Sequence, residues 1–348
     1  MNRFVRLIPA AVLVSGLAAC SDNVSPDSVD PVALQSQMND LASVFQNNAA
    51  FNSLVVLSSS FPRYGGTALL DAAPVHGAPT ARLAALRTAL RGLAGPRELA
   101  SVSDIQALFP ANVLGKTLEW DTQTSQYVVG SQTGAPANGI RILIYVLNAQ
   151  STGPAVPLQQ LGYVELTDES TPQFDRLGVL LRLLGQTVAD YAVTRVSGTS
   201  STEVTATGRL QSVDLERYAD FDMSVTGDIN AAAFGLSQDI TGNDGTRVVL
   251  NISGDDTGGN FEIIVAADGN ELEMDVADNG TTVNGGIFYN GFQVGTISGP
   301  SDDPVIGGVG GRNLPADEVQ ALTGIFVGAT LFALILTIGI FAPAAVVF

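Results

Sequence analysis

The chain has 348 residues, enough for two domains or one large one, and its 34 acidic and 16 basic side chains give a formal charge of −18. So acidic a surface repels phosphate backbones, which argues against nucleic-acid binding. One cysteine and one histidine in the whole chain exclude thiolate zinc sites, Cys/His nucleophile pairs and internal disulfides.

At the N-terminus, Arg3 and Arg6 precede an uncharged, mainly apolar run from Leu7 to Ala19. That run is too short to cross a hydrocarbon core of ~30 Å as a helix. It ends in Leu17-Ala18-Ala19-Cys20, which resembles the bacterial lipobox: an aliphatic residue, two small residues, then cysteine. An ordinary secretory cut after Ala19 would put Leu17 where a small residue is wanted. The resemblance covers only Met1 to about Ser21. It implies that residues 1–19 are a signal peptide, that the Cys20 sulfur takes a diacylglyceryl group, and that the new amine is acylated. Several acyl chains at ~0.8 kcal/mol per buried methylene hold a protein to a bilayer for good. The expected location is therefore the cell envelope, with the bulk of the chain outside the cytoplasm. Ser21 leans toward the outer membrane, since Asp at that position favours inner-membrane retention in proteobacterial lipoproteins.

Residues 20–30 read as a polar, lipidated tether. Residues 31–110 read as a helical segment: Asp30 is placed to cap, Pro31 suits the first helical position, and Leu34, Met38, Leu41 and Phe45 recur at helical spacing. Thr80 begins a second helical pattern with Leu83, Leu86, Leu90 and Leu93, stopped by Gly95-Pro96. From Gly115 the period changes to 2. Thr117 to Asp121 and Gln126 to Val129 flank a four-residue hairpin loop. Phe221, Met223 and Val225 alternate with polar residues, as do Leu272, Met274 and Val276. Asp268-Gly269 and Asn279-Gly280 are hairpin-turn dipeptides, because their residues tolerate positive φ. An antiparallel sheet of roughly nine to twelve strands is expected within residues 115–299. Leu177 to Leu184 fits a helix or a strand; Gly178 within it favours the strand, which would turn near Gly185.

Residues 300–313 carry Gly307, Gly308, Gly310 and Gly311 and read as a flexible linker. Residues 314–348 read as a hydrophobic C-terminal helix. Leu322 to Phe341 holds twelve Leu, Ile, Val or Phe residues and no charge, long enough for a transmembrane span. The competing reading is a core helix against the concave face of the sheet. Gly324 and Gly328 form a GxxxG pair that lets another helix approach closely. The fold class expected is α+β. In order of elements alone, the chain is similar to lipid carriers of the Lol type, whose sheets curl into a half-barrel closed by helices.

Candidate chemistry is sparse. His76 lies in a proline-rich loop and no G-x-S-x-G motif occurs. Asp220 and Asp222 share a strand face, as do Glu271, Glu273 and Asp275; paired carboxylates serve glycosidases and calcium sites, and they also furnish the wet side of any half-solvated sheet. Asp255 and Asp256 are weak calcium candidates in a glycine-rich turn, and the run from Asp239 to Gly245 matches a calcium loop only loosely. No catalytic residue, metal site or cofactor is expected. The sequence points to a non-enzymatic binding or assembly role at a membrane surface, with the lipid bilayer as one partner. Alternatives are a carrier of apolar ligands, or a calcium-dependent adhesin or carboxylate hydrolase.

Overall fold

The computed structural model describes residues 29–46, 108–148, 153–198, 201–228, 233–255, 257–301, 303–310, 312–344 and 347. The lipobox with Cys20, most of the tether, the second helical pattern, His76 and Asp256 lie outside the described residues.

Helix α1 spans Pro31–Gln46. Asp30 caps it as its sequence requires: its Oδ1 accepts hydrogen bonds from the Val32 and Ala33 amides at 2.9 and 3.1 Å. Leu34, Met38, Leu41 and Phe45 are all buried, so the apolar stripe is the packed face.

Fifteen strands follow in one open, mixed sheet whose spatial order is β15-β14-β13-β12-β11-β10-β9-β8-β7-β6-β5-β4-β3-β1-β2. They are β1 Thr117–Asp121, β2 Gln126–Val129, β3 Gly139–Tyr145, β4 Gln160–Asp168, β5 Asp175–Leu183, β6 Gln186–Ser197, β7 Ser201–Gln211, β8 Tyr218–Asp228, β9 Phe234–Gly242, β10 Arg247–Gly254, β11 Gly259–Ala267, β12 Asn270–Asp278, β13 Thr282–Tyr289, β14 Phe292–Pro300 and β15 Val305–Gly308. From β3 onward every neighbour is the next strand in sequence and antiparallel; only β1 and β3 pair in parallel. The sheet is thus larger than expected and not wholly antiparallel. The ambiguous leucine run is strand β5, turning through Leu184 and Gly185 at φ of 50° and 84°. Asp268 and Gly269, at 52° and 77°, make the same kind of turn between β11 and β12.

The segment that reads as a linker contains β15, which pairs with Gly295 to Ser298 of β14. Its sequence, Val-Ile-Gly-Gly, has too few side chains to alternate, so the pattern is silent while the backbone still pairs. Both edge strands, β2 and β15, have four residues, which limits the unpaired backbone offered at each side of the sheet.

Period 2 sorts the side chains. Leu236, Ile240, Leu250, Ile252, Phe261, Ile263, Leu272 and Met274 are buried on one face, while their sequence neighbours point the other way. Helix α2, Ala316–Phe341, lies on that apolar face. Asp317 and Glu318 in its first turn suit the positive end of the helix dipole. It is the one helix among the described residues long and apolar enough to cross a membrane, and 72% of its most apolar window is buried within the protein.

Three side chains from the sheet fix the course of α2. Tyr289 in β13 donates to Glu318 Oε1 at 2.8 Å. Gln238 in β9 donates to the Ala333 carbonyl at 3.1 Å and to Thr337 Oγ1 at 2.9 Å. Tyr191 in β6 donates to the Ile340 carbonyl at 3.1 Å. Tyr191 and Tyr289 stand on one cross-strand row, Tyr191–Gly208–Phe221–Ile240–Val248–Val265–Leu272–Tyr289. Seven strand spacings cover about 34 Å, and a helix rises about 33 Å from Glu318 to Ile340. Helix α2 therefore lies across the strands, close to a single register row. Gly208 leaves a gap in that row, over which the Tyr191 and Phe221 rings meet edge-on at 5.5 Å.

Helix α1 lies beside α2 at the rim of the sheet. Gln37 donates to Asp268 Oδ2 in the β11–β12 turn at 2.7 Å, and Arg217, just before β8, donates to Ser43 Oγ at 3.0 Å. Gly324 faces Gln35, and a Cβ on Gly328 would stand 2.8 Å from Met38 Cε. Phe45 and Phe332 meet edge-on at 5.4 Å. The small-residue pair thus seats α1, and because partners ascend together along both helices, the two run in the same direction.

Replacing Gly328 with Leu is expected to lower stability by about 1–3 kcal/mol, because it drives the Met38 side chain out of its seat. Gly328→Ala should cost little, since the Met38 methyl can shift and alanine gains ~1 kcal/mol of helix propensity. Tyr191→Phe should cost about 1–3 kcal/mol by leaving the Ile340 carbonyl without this donor. Urea midpoints of the three variants check this; an unchanged midpoint for Gly328→Leu would mean that α1 does not rest on α2 there.

Candidate functional site: the polar face of the sheet

The face of the sheet opposite α2 is built from polar rows. One runs Arg176–Thr194–Thr205–Ser224–Ser237–Asn251–Glu262–Asp275–Gly286–Thr296–Gly307 across eleven strands. Its neighbour runs Glu203–Thr226–Gly235–Ser253–Asn260–Ala277–Asn284–Ser298–Val305. On the other flank stand bulkier side chains: Asp222, Asp239, Val249, Ile264, Glu273 and Phe288. Two rows in which most side chains are small, beside a bulkier third row, leave a trough. It has a volume of about 620 Å³ and crosses β8 to β13, with Ser224, Ser237, Asn251, Asn260, Glu262 and Asp275 among its lining.

The trough is hydrogen-bonded along its floor. Ser237 donates to Asn251 Oδ1 at 2.7 Å, and the Asn251 amide in turn donates to Glu262 Oε2. Past Asp275 the small-residue row reaches Gly286, over which the Phe288 ring folds.

Glu262, Glu273 and Asp275 bring carboxylate oxygens within 4.8 Å of one another. The strand pattern had paired Glu273 with Asp275 and Glu271. Glu262 joins them because β11 and β12 set it directly opposite Asp275, a register that no single strand reveals. Partial burial, and then the charges of Asp275, Glu262 and Glu271, raise the Glu273 carboxyl above the ordinary carboxylate range. Three oxygens so placed could hold a divalent cation by geometry. The basic residues nearest on this face are engaged elsewhere: Arg209 makes a two-pronged pair with Asp220 at 2.6 and 2.8 Å, and Arg247 does the same with Asp239 at 2.9 and 2.7 Å.

The other residues singled out from sequence fall apart in space or in role. Asp220 is taken up by Arg209, while Asp222 stands exposed opposite Thr207 and Asp239. Asp255 shapes its own turn, its Oδ1 accepting from the Thr257 amide and hydroxyl, both at 2.7 Å, and from the Gly258 amide. Asp244 does likewise for the Thr246 amide at 2.9 Å. Gly324 and Gly328 serve contact within the chain. Comparison with family models, with curated proteins and with solved structures finds no match.

The raised Glu273 carboxyl has a direct consequence for stability. A carboxyl whose folded pKa lies above its unfolded value opposes folding once it ionises, so its penalty is present at neutral pH and disappears as pH falls below the unfolded pKa of ~4.3. Glu273→Gln is therefore expected to raise Tm at pH 7 and to leave it unchanged near pH 4. Melting curves across that range check the sign; a lower Tm at pH 7 would mean that the ionised carboxylate is favoured in the fold.

Proposed function

We propose that this protein is a cell-envelope lipoprotein, held to the membrane through acyl chains on Cys20, whose polar sheet face performs a non-enzymatic binding or assembly role. The observation that carries the reading is the chemical division of the sheet. One face is buried beneath the chain's own helices; the other presents hydroxyl, amide and carboxylate groups around a trough of ligand-binding size. In this reading the open sheet is a half-barrel filled by α1 and α2. A carrier of apolar ligands would need room on the inner face, where residues such as Leu322, Ile325 and Leu336 are wholly buried against the sheet.

The same packing bears on the anchor. With α2 in the core, the acyl chains are the only attachment the chain needs, and the outward lean of Ser21 meets no opposing signal. Glu318 supports this placement. It is buried, held by Tyr289 and by Arg312 at 2.9 Å, an arrangement suited to the base of a packed helix. The pair Asp220 and Asp222 lies open to water, without the enclosure that tunes catalytic acids.

The test is a form carrying Cys20→Ala behind an ordinary cleavable secretory signal. Palmitate label is expected on the native protein and absent from this form, which should appear in the soluble periplasmic fraction, folded and without detergent. Retention in membranes through an alkaline carbonate wash would identify α2 as an anchor and overturn the core-helix reading. Equal palmitate labelling of both forms would remove Cys20 from its role.

A further inference from the structure

The trough has a direction, a length and a charge, and together they describe an occupant. It crosses β8 to β13, and five strand spacings make it about 24 Å long. A fully extended peptide rises about 3.3 Å per residue, so about seven residues fit along it. The lining offers Ser, Thr and Asn side chains, whose hydroxyl and amide groups can both donate to and accept from a peptide backbone. Its ionic groups are all of one sign. Glu262 and Asp275 lie in the lining, with Glu273 on the wall, and Glu203, Asp222 and Glu271 stand on the same face. Arg209 in β7 and Arg247 in β10, on the same face, are already committed to Asp220 and Asp239. The face thus carries a surplus of negative charge, and among the described residues nothing covers it.

Building on the binding role proposed above, we infer that the trough is a docking surface for an extended, lysine- or arginine-rich segment of a partner protein. The segment lies across the strands with a basic side chain over the Glu262–Glu273–Asp275 group. Charge complementarity selects the partner: an anionic segment meets carboxylates at every turn, and an uncharged one leaves three of them within 4.8 Å unneutralised. A basic side chain delivered there offsets the mutual repulsion of three carboxylates whose oxygens lie within 4.8 Å of one another. The occupant also exceeds a lone metal ion, which would fill the carboxylate group and leave most of the 620 Å³ trough to water.

The experiment uses the full chain in non-ionic detergent and three fluorescein-labelled octapeptides, alternating Lys-Ser, alternating Glu-Ser and alternating Gln-Ser, followed by anisotropy at low and physiological salt. The Lys-Ser probe is expected to bind, and salt should weaken it. The triple variant Glu262→Gln, Glu273→Gln, Asp275→Asn should weaken binding about tenfold or more, while Glu216→Gln, Asp303→Asn, Asp317→Asn, which removes as many charges off this face, should change it by less than about twofold. A single cooperative melt in each, with Tm no lower than that of the unaltered chain, will show that both variants remain folded. Equal losses in the two variants would reduce the effect to the general charge of the protein and overturn the proposal. So would calcium binding at the carboxylates with no binding of the Lys-Ser probe. Binding of the Gln-Ser or Glu-Ser probe alone, sensitive to the trough variant, would overturn the basic ligand while leaving a binding role for the face. Absence of all binding would overturn the basic-segment proposal without touching the lipid anchor, which Cys20→Ala tests separately.

Discussion

A helix that is apolar around its whole circumference needs apolar cover over most of it, and much of this structure answers that need for α2, leaving Thr323 exposed and Val327, Leu331 and Ile335 half-buried along its outer side. No charged residue follows Glu318 in the chain, so no charged face orients the helix. The sheet supplies one side and α1 part of another. The length of the helix also bears on the size of the sheet. Lying across the strands, it needs about 33 Å of apolar surface between its first and last anchoring tyrosines, and strands spaced at ~4.8 Å provide that only if eight stand side by side. A meander built from short hairpins is an economical way to such width, since each added strand brings one more inward-facing set of side chains. Gln238, Tyr191 and Tyr289 then turn a non-directional hydrophobic contact into a fixed one, because each donates to one place along the helix.

The polar face follows from the same alternation. Once Leu236, Ile252, Phe261 and Val276 are committed inward, the residues between them must point outward, and here they are serine, threonine, asparagine and acidic side chains. Their sizes, more than their polarity, make the trough: Gly235, Ser253 and Ala277 lie low, while Val249, Ile264 and Phe288 stand high. A relief of this kind is a property of register. Slipping one strand by a residue would exchange its buried and exposed sets and erase both the core and the trough.

This explains which parts of the protein were legible in its sequence. Elements set by local chemistry could be read directly: the Asp30 cap, the bounds of β1 and β2, the turn at Asp268-Gly269, and the alternation in β8 and β12, whereas the leucine run of β5 fitted a helix as well as a strand. The glycines of β15 hid a strand, because a strand without side chains has no period to detect. The parallel contact of β1 with β3 depends on a meeting between segments separated by β2 and a loop, which no local pattern encodes. Glu262 is hidden for a similar reason. It sits in the nearly continuous apolar run Phe261 to Ala267, and only its pairing with Asp275 gives it company. The GxxxG pair at Gly324 and Gly328 was visible as a place for close helix approach, but its partner, α1, lies far away in sequence.

Hydropathy alone cannot separate a core helix from a membrane span, since lipid tails and a sheet of Val, Ile and Leu receive the same side chains equally well. Polar detail breaks the tie. A bilayer has no use for a glutamine on β9 aimed at the Ala333 carbonyl and the Thr337 hydroxyl, nor for two tyrosines placed one helix length apart on a single row. Moving α2 into lipid would give up those directed hydrogen bonds and expose to water the broad apolar face that the helix covers. The fold therefore reserves a place for this helix on its own sheet, fixed at three points along its length.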